Sequence, residues 1–494
     1  MLNRSRALAS AAVIALTAGL AAPAWAETLQ QAIALAYQTN PSLLAQRANQ
    51  RALDETVVQA RGGLRPTLSA SAGVDYTKTW APEPTGDSES DGANVGVSLS
   101  QNIWTAGRTS LAIDQARAGV LSGRESLRDI EQQVMLSTIQ AYVNVTRDME
   151  ILRIRQENLS VLQRQLEETS ARFEVGEITR TDVAQAEASL SQSQSDLAAA
   201  QAQLSTSRAA YAAVVGQAPT DLEAAPALPA TPTDFDVAME TALAQNPGVL
   251  AAIYDLQGAE AAVAAARAEY LPSLRATASY GGSTNSLSDI DELADRRSFN
   301  AGATLSVPLF TGGLNRSRVA QALERANAAQ IGVEGQRRAV LQDVSSAYAQ
   351  VISARSAVQA GEEGVRAAGV AAEGVRQEAQ VGLRTTLDVL NQEVTLRSAQ
   401  TALANARAAE YVARASLLAA MGQLEGTDLD PTLEAYDAQA NYDRVKNRGG
   451  LPWDGVIEAL DRVASPPIVD AEDAPDAPID SQLKSEIVRT APAE

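Results

Sequence analysis

Two apolar periods organise this chain, and each appears twice. Leu68, Ala70, Ala72, Val74, Tyr76 and Trp80 share one parity, while Ser69, Ser71, Gly73, Asp75, Thr77 and Thr79 share the other. Alternation with period 2 predicts a β-strand. After a loop over 81–92 rich in Pro, Gly, Asp and Ser, it resumes with Val95, Val97, Leu99 and Ile103 against Asn94, Gly96, Ser98, Ser100 and Asn102. Leu274, Ala276, Ala278 and Tyr280, then Phe299, Ala301, Ala303, Leu305, Val307 and Leu309, repeat the pattern later. Elsewhere the spacing is seven: Val145, Leu152, Leu159, Leu166 and Phe173, then Val183, Leu190, Leu197, Leu204 and Tyr211. Val389, Leu396, Leu403 and Leu417 keep that frame, with Glu410 interrupting it. Residues 108–173 and 315–380 contain no Pro, so each predicts a helix on the order of 100 Å long. Sustained heptads predict coiled-coil packing.

A shift of 206 residues lays one half on the other without a gap. Asn40-Pro41 falls on Asn246-Pro247, Pro66 on Pro272, and Ala141-Tyr142 on Ala347-Tyr348. Val175-Gly176 falls on Val381-Gly382, Asp182-Val183 on Asp388-Val389, and Gly216-Gln217 on Gly422-Gln423. The chain is a tandem duplication. The first repeat spans 27–220: a helix over 28–61, a β-hairpin over 66–106, and a helical hairpin over 108–215. Residues 221–233 link it to the second repeat, 234–426, with a helix over 234–268, a hairpin over 272–310 and a helical hairpin over 315–420. A segment over 427–465 and a disordered tail over 466–494 are expected to follow.

Composition narrows the function. Arg4 and Arg6 followed by an apolar run and Ala24-Trp25-Ala26 predict a secretory signal peptide over 1–26. In the rest of the chain no run of ~18 uncharged apolar residues predicts a spanning helix. Sixty acidic residues against 40 basic ones argue against nucleic acid as a partner. Cys and His are both absent, which removes disulfides, the thiol nucleophile, and the commonest general base and metal ligand. No catalytic constellation stands out, so no enzyme activity and no cofactor are expected.

The strand pattern is amphipathic, which suits a soluble core or a membrane wall. Hairpins of roughly 10–13 residues per strand are long enough for the ~9–11 a tilted membrane strand needs. A sheet of four strands in lipid would leave its edge groups unsatisfied, so strands from other copies must complete it. Two copies would give eight strands with a filled lumen, and three would give twelve with room for a passage. All helices then leave one end of the barrel, and the loops over 81–93 and 283–297 cap the other. A non-transporting periplasmic coiled-coil scaffold is the alternative; it explains the helices but not the hairpins.

The segments Ile103-Trp104-Thr105-Ala106-Gly107-Arg108 and Leu309-Phe310-Thr311-Gly312-Gly313, the two Asn-Pro pairs, and 381–390 with 403–407 resemble the TolC family of outer-membrane channel tunnels over about 27–450. The resemblance implies an α+β membrane protein: each duplicated chain gives four strands to a trimeric, 12-stranded β-barrel and its coiled-coil helices to a periplasmic α-barrel. A mixed α/β belt around the helices would draw on 217–233 and the segment after Gly422. It implies a passive exit duct in the outer membrane of a Gram-negative bacterium, carrying type I secreted proteins, small molecules such as drugs, or both. Its implied partners are two further copies, membrane lipid, a periplasmic adaptor, and an inner-membrane ABC or resistance-nodulation-division transporter. By the same resemblance the adaptor docks on Val175, Gly176, Glu177 and Ile178 and on Val381, Gly382 and Leu383. The entrance latch maps to Thr181, Asp182 and Arg384, above a constriction at Asp388. Ala379 stands where some members carry a latch Tyr, and Asn391 where they carry a second constricting Asp, so one link and half the ring charge are missing.

Overall fold

The computed structural model describes residues 27–82 and 86–469. The expected signal peptide and most of the expected tail, 470–494, lie outside the described residues. The chain runs α1 (Leu29–Thr39), α2 (Pro41–Gly62), β1 (Thr67–Thr79), β2 (Ser88–Trp104), α3 (Arg108–Glu174) and α4 (Arg180–Val215). The second repeat follows as α5 (Phe235–Gln245), α6 (Pro247–Ala268), β3 (Ser273–Thr284), α7 (Glu292–Asp295), β4 (Arg297–Ser306), α8 (Leu314–Gln380) and α9 (Thr386–Ala420). Three short helices close it: α10 (Gly426–Leu429), α11 (Ala438–Val445) and α12 (Asp454–Asp461).

The helices expected over 28–61 and 234–268 are each broken in two. Pro41 and Pro247 lack an N–H and push the residue before them out of the helical region. Asn40 accordingly has φ −62° and ψ 123°. Its Oδ1 accepts from Ser42 N at 3.0 Å, capping α2, while its Nδ2 donates to Val214 O at 3.0 Å. Asn246 does the same, accepting from Gly248 N at 2.9 Å and donating to Ala420 O at 3.0 Å. Each Asn-Pro pair thus starts one helix and ties down the last turn of the returning one. The stretch Phe235–Ala268 is apolar enough by composition to cross a membrane, but Asn246 divides it, and α6 packs on α3 and α8.

The four strands form one antiparallel sheet in the order β1-β2-β3-β4. Its register sorts the faces up to a bulge between Asn102 and Trp104, which pairs Trp104 in place of Ile103 with Leu274, and up to the loop end, where Lys78, Glu89, Asp91 and Arg297 share the apolar parity. Leu68 lies opposite Leu99, Ala70 opposite Val97, Val97 opposite Tyr280, and Tyr280 opposite Phe299. On the other face Ser69 meets Ser98, Ser98 meets Ser279, and Ser279 meets Asn300. Leu68, Val74, Tyr76, Phe299 and Leu305 are all exposed. β2 begins at Ser88, inside the loop expected over 81–93, because Asp75–Thr79 offer it a continuing partner. β4 stops at Ser306 although the alternation runs to Leu309; Pro308 cannot donate to the ladder.

α3 and α8 are 67 residues each, about 100 Å. Within the first coil many of the buried positions are small or polar: Ala186, Ser193, Ala200 and Ser207 of α4 and Asn158 and Thr169 of α3, beside the apolar Val145, Leu162, Leu204 and Tyr211. Asn158 Nδ2 donates to Ser193 Oγ at 3.1 Å. The larger heptad residues Leu152, Leu159 and Leu166, with Val183, Leu190 and Leu197, are half-buried. The coils meet at mid-length, where Leu29, Ile33, Met135, Ile139, Tyr142 and Tyr211 pack with Leu418 and Leu424. Tyr142 is fully buried and its hydroxyl donates toward Glu27 O and Glu223 O (2.9 and 2.8 Å). Desolvation pushes its pKa up to about 12, so it stays a donor at any physiological pH. The expected belt is mostly helical: its strand content among the described residues is the single Glu27–Leu222 bridge.

The C-terminal segment straps the first repeat. Asp461 is fully buried and accepts from Thr105 Oγ1 and Ser110 Oγ, each at 2.7 Å, and from the backbone N–H groups of both. It thereby caps the junction between β2 and α3. Arg65–Asp454, Arg462–Asp114 and Arg448–Glu55 pair the strap to its bed at 2.8, 2.9 and 2.5 Å.

Candidate functional site

The ends of the two coils, far from the sheet, carry the residues singled out by sequence. Each tip is a tight Gly turn followed by a capping box. In the first, Gly176 N donates to Phe173 O (2.9 Å) and Glu177 N to Arg172 O (3.0 Å). In the second, Gly382 N donates to Ala379 O (3.1 Å) and Leu383 N to Glu378 O (2.9 Å). Both are Schellman closures, and they need the left-handed backbone seen at Gly176 (φ 83°) and Gly382 (φ 81°).

The two aspartates of the expected gate turn out to be helix caps. Asp182 Oδ2 accepts from Thr179 N (3.0 Å) and Thr179 Oγ1 (2.7 Å). Asp388 Oδ2 accepts from Thr385 N (3.0 Å) and Thr385 Oγ1 (2.8 Å), and Thr385 Oγ1 accepts in turn from Asp388 N (3.2 Å). These bonds hold both carboxylates below their ordinary value of 3.8, through the Thr179 hydroxyl at Asp182 and the Thr385 backbone N–H at Asp388. Within one chain Arg384 does not meet Asp182; it pairs with Glu378 at 2.8 Å. The two latch residues sit on different coils, so a link between them requires the tips to approach. Thr181, Arg384 and Asn391 are exposed. Val175, Val381 and Leu383 are 73, 71 and 75 % exposed, leaving an apolar patch at the tips, with Ile178 partly covered beside Glu177.

A charged cluster that sequence reasoning missed lies above the second tip. Glu393 and Arg397 of α9 are buried, and Glu393 pairs with Arg376 of α8 and, at 3.6 Å, with Arg397. Arg397 reaches Glu157 of α3 at 3.8 Å and so connects the two coils. The available signal was a Glu one turn beyond the buried Val389 and Leu390, on the same face of the helix.

The model for the outer membrane efflux protein family matches residues 32–217 and again 238–423, one match per repeat, in the register of the duplication. This chain belongs to that family. The outer membrane efflux protein BepC of Brucella suis is 34% identical over 430 residues, covering 86% of this chain and 92% of that protein. Outer membrane protein TolC of Vibrio cholerae is 29% identical over 418 residues, covering 83% and 94%. Among solved structures, the CmeC outer membrane channel of Campylobacter jejuni superposes with a TM-score of 0.71 at 17% identity, covering 86% and 90%. The fold is that of the TolC-like channels, and the protein is an outer-membrane channel component.

Proposed function

We propose that three copies of this chain close a 12-stranded barrel and serve as the exit duct of a tripartite export system. The observation that carries this is the sheet, which has an exposed apolar face and two outer strands, β1 and β4, without a partner on their outer edges among the described residues. Such a sheet is stable in lipid only when closed. The apolar tips at Val175, Ile178, Val381 and Leu383, with the glycine turns and Glu177, are where a periplasmic adaptor would dock, linking the duct to an inner-membrane transporter. Arg384 would exchange Glu378 for Asp182 of an approaching tip, beside Thr181. Three Asp388 carboxylates would form a ring weakened by the neutral Asn391. Conduction is passive, with no reaction and no cofactor.

A chain without Cys makes the test direct. Cysteine pairs introduced along β1 and β4 should cross-link into closed trimers in detergent, and the trimers should conduct in planar bilayers. A monomer soluble without detergent overturns the reading. Comparing secreted proteins and drug susceptibility in a deletion strain then separates polypeptide cargo from small molecules.

A further inference from the structure

The polar face of the sheet is almost free of charge. Across the paired positions it reads Ser, Thr, Gly and Asn, with two exceptions among the described residues, Asp75 and Arg275. They lie at opposite ends. Arg275 stands level with Asn102 and Thr304, near the helices, whereas Asp75 is level with Gly92, near the loops. Ten residues of β2 separate the two levels, about 33 Å along the strand. The duplication supplies neither charge twice: Ser69 corresponds to Arg275, and Gly281 to Asp75.

Arg275 is exposed and oriented. Its Nε donates to Asn102 Oδ1 at 3.0 Å across the strand pair, and this tether leaves both terminal amino groups without a hydrogen-bond partner among the described residues. A guanidinium fixed through Nε presents a planar fork suited to phosphate or carboxylate. Its surroundings on that face are neutral, since Asn102, Thr304, Ser100 and Ser306 offer no competing carboxylate.

We propose that Arg275 is an anion-binding residue of the pore wall, forming in the trimer a basic ring at the helix-side end of the barrel that takes polyanions. This rests on the trimeric-duct reading. An anion leaving through the barrel would meet this ring after the Asp388 ring and before Asp75, so the entrance of the duct and the base of its barrel discriminate with opposite sign. Polyanions entering from the loop side would reach Arg275 without passing Asp388.

The test uses purified trimers in planar bilayers, with inositol hexakisphosphate added on the barrel side. The wild-type current should be blocked, and R275Q should need at least about tenfold more of the polyanion for half block. R275K should retain block, and D75N should block at least as readily as wild type. If R275Q does not assemble, T304E, which sets a carboxylate directly opposite Arg275, should produce the same loss. Equal block in wild type and in an assembled R275Q or T304E overturns the proposal, as does a wild-type channel the polyanion does not touch. A wild-type chain that forms no conducting trimer instead defeats the duct reading beneath it.

Discussion

Tyr142 and Tyr348 occupy the same place in the two repeats, yet the first is fully buried and the second half-buried. Tyr142 donates toward two carbonyls, while Tyr348 donates to Thr233 O (2.6 Å) and meets Phe235 edge-on at 5.5 Å. The contrast extends toward the sheet. Ser110, Ile113 and Val120 are buried under the C-terminal strap and α2, whereas their counterparts Arg316, Val319 and Ala326 are exposed or half-buried. Along α8, Leu314, Leu323, Ile331 and Val370 stay exposed. The first repeat is therefore finished within its own chain, and the second keeps an open apolar face. A closed ring of identical chains needs that asymmetry, because each chain must offer a surface its own strap does not cover.

The largest expected effect breaks the comparison at its centre. Tyr142→Ala should lower stability by about 3–5 kcal/mol, as expected for a fully buried aromatic, and Tyr348→Ala by about 1–2 kcal/mol. Urea titrations of the detergent-solubilised protein measure both; equal losses would show that the assembly buries the two alike. Next comes the strap. Asp461→Ala should cost about 2–4 kcal/mol by leaving the buried N–H groups of Thr105 and Ser110 unpaired. The same variant should open the segment after Tyr436 to proteolysis while the second repeat resists, since no corresponding carboxylate caps that repeat among the described residues.

Where the repeats agree, paired substitutions should agree as well. Asn40→Ala and Asn246→Ala each remove a helix cap and a bond to the returning helix, so each should cost about 1–2 kcal/mol. A difference well beyond that range between them would mean that the shared Asn-Pro geometry is not energetically equivalent.

How much of this was legible follows from where each signal resides. Strand faces were readable residue by residue, because side-chain parity is a local property that the register preserved except at Ile103, where a bulge pairs Trp104 with Leu274 instead. The coil lengths followed from the absence of Pro. The heptads gave the right helices, and of their residues Val145, Leu204, Tyr211, Val389 and Leu417 are buried, while small and polar positions such as Ala186 and Ser193 fill the rest of the buried face without a signal of their own. The break at Asn40 was hidden because Asn-Pro can also open a helix. Asp461 was beyond reach for a different reason: an Asp in a short amphipathic helix looks solvated until a partner hundreds of residues away covers it. Asp182 and Asp388 were singled out as gate residues, but their local partners Thr179 and Thr385 were not, although Thr-x-x-Asp ahead of an apolar run is itself a cap signature.

The smallest effects lie at the tips, where Arg384 of the second repeat stands in the place of Ile178 in the first. Asp182 and Asp388 titrate below their ordinary value of 3.8, so each stabilises its cap fully above that value and loses its hold as pH falls through the lower folded one. Hydrogen exchange in the first turns of α4 and α9 should therefore be flat from neutral pH down to about 4 and accelerate, relative to the rest of the coils, only below it. Asp182→Asn and Asp388→Asn should remove that dependence, each at its own tip. Arg384 adds a further pull on Asp388, while Asp182 has no such cation among the causes of its shift. Arg384→Gln should accordingly raise the pH at which α9 begins to fray and leave α4 unchanged. If both tips moved together in R384Q, the arginine would already be shared between them, and the latch from Arg384 to Asp182 would be closed in the assembled protein.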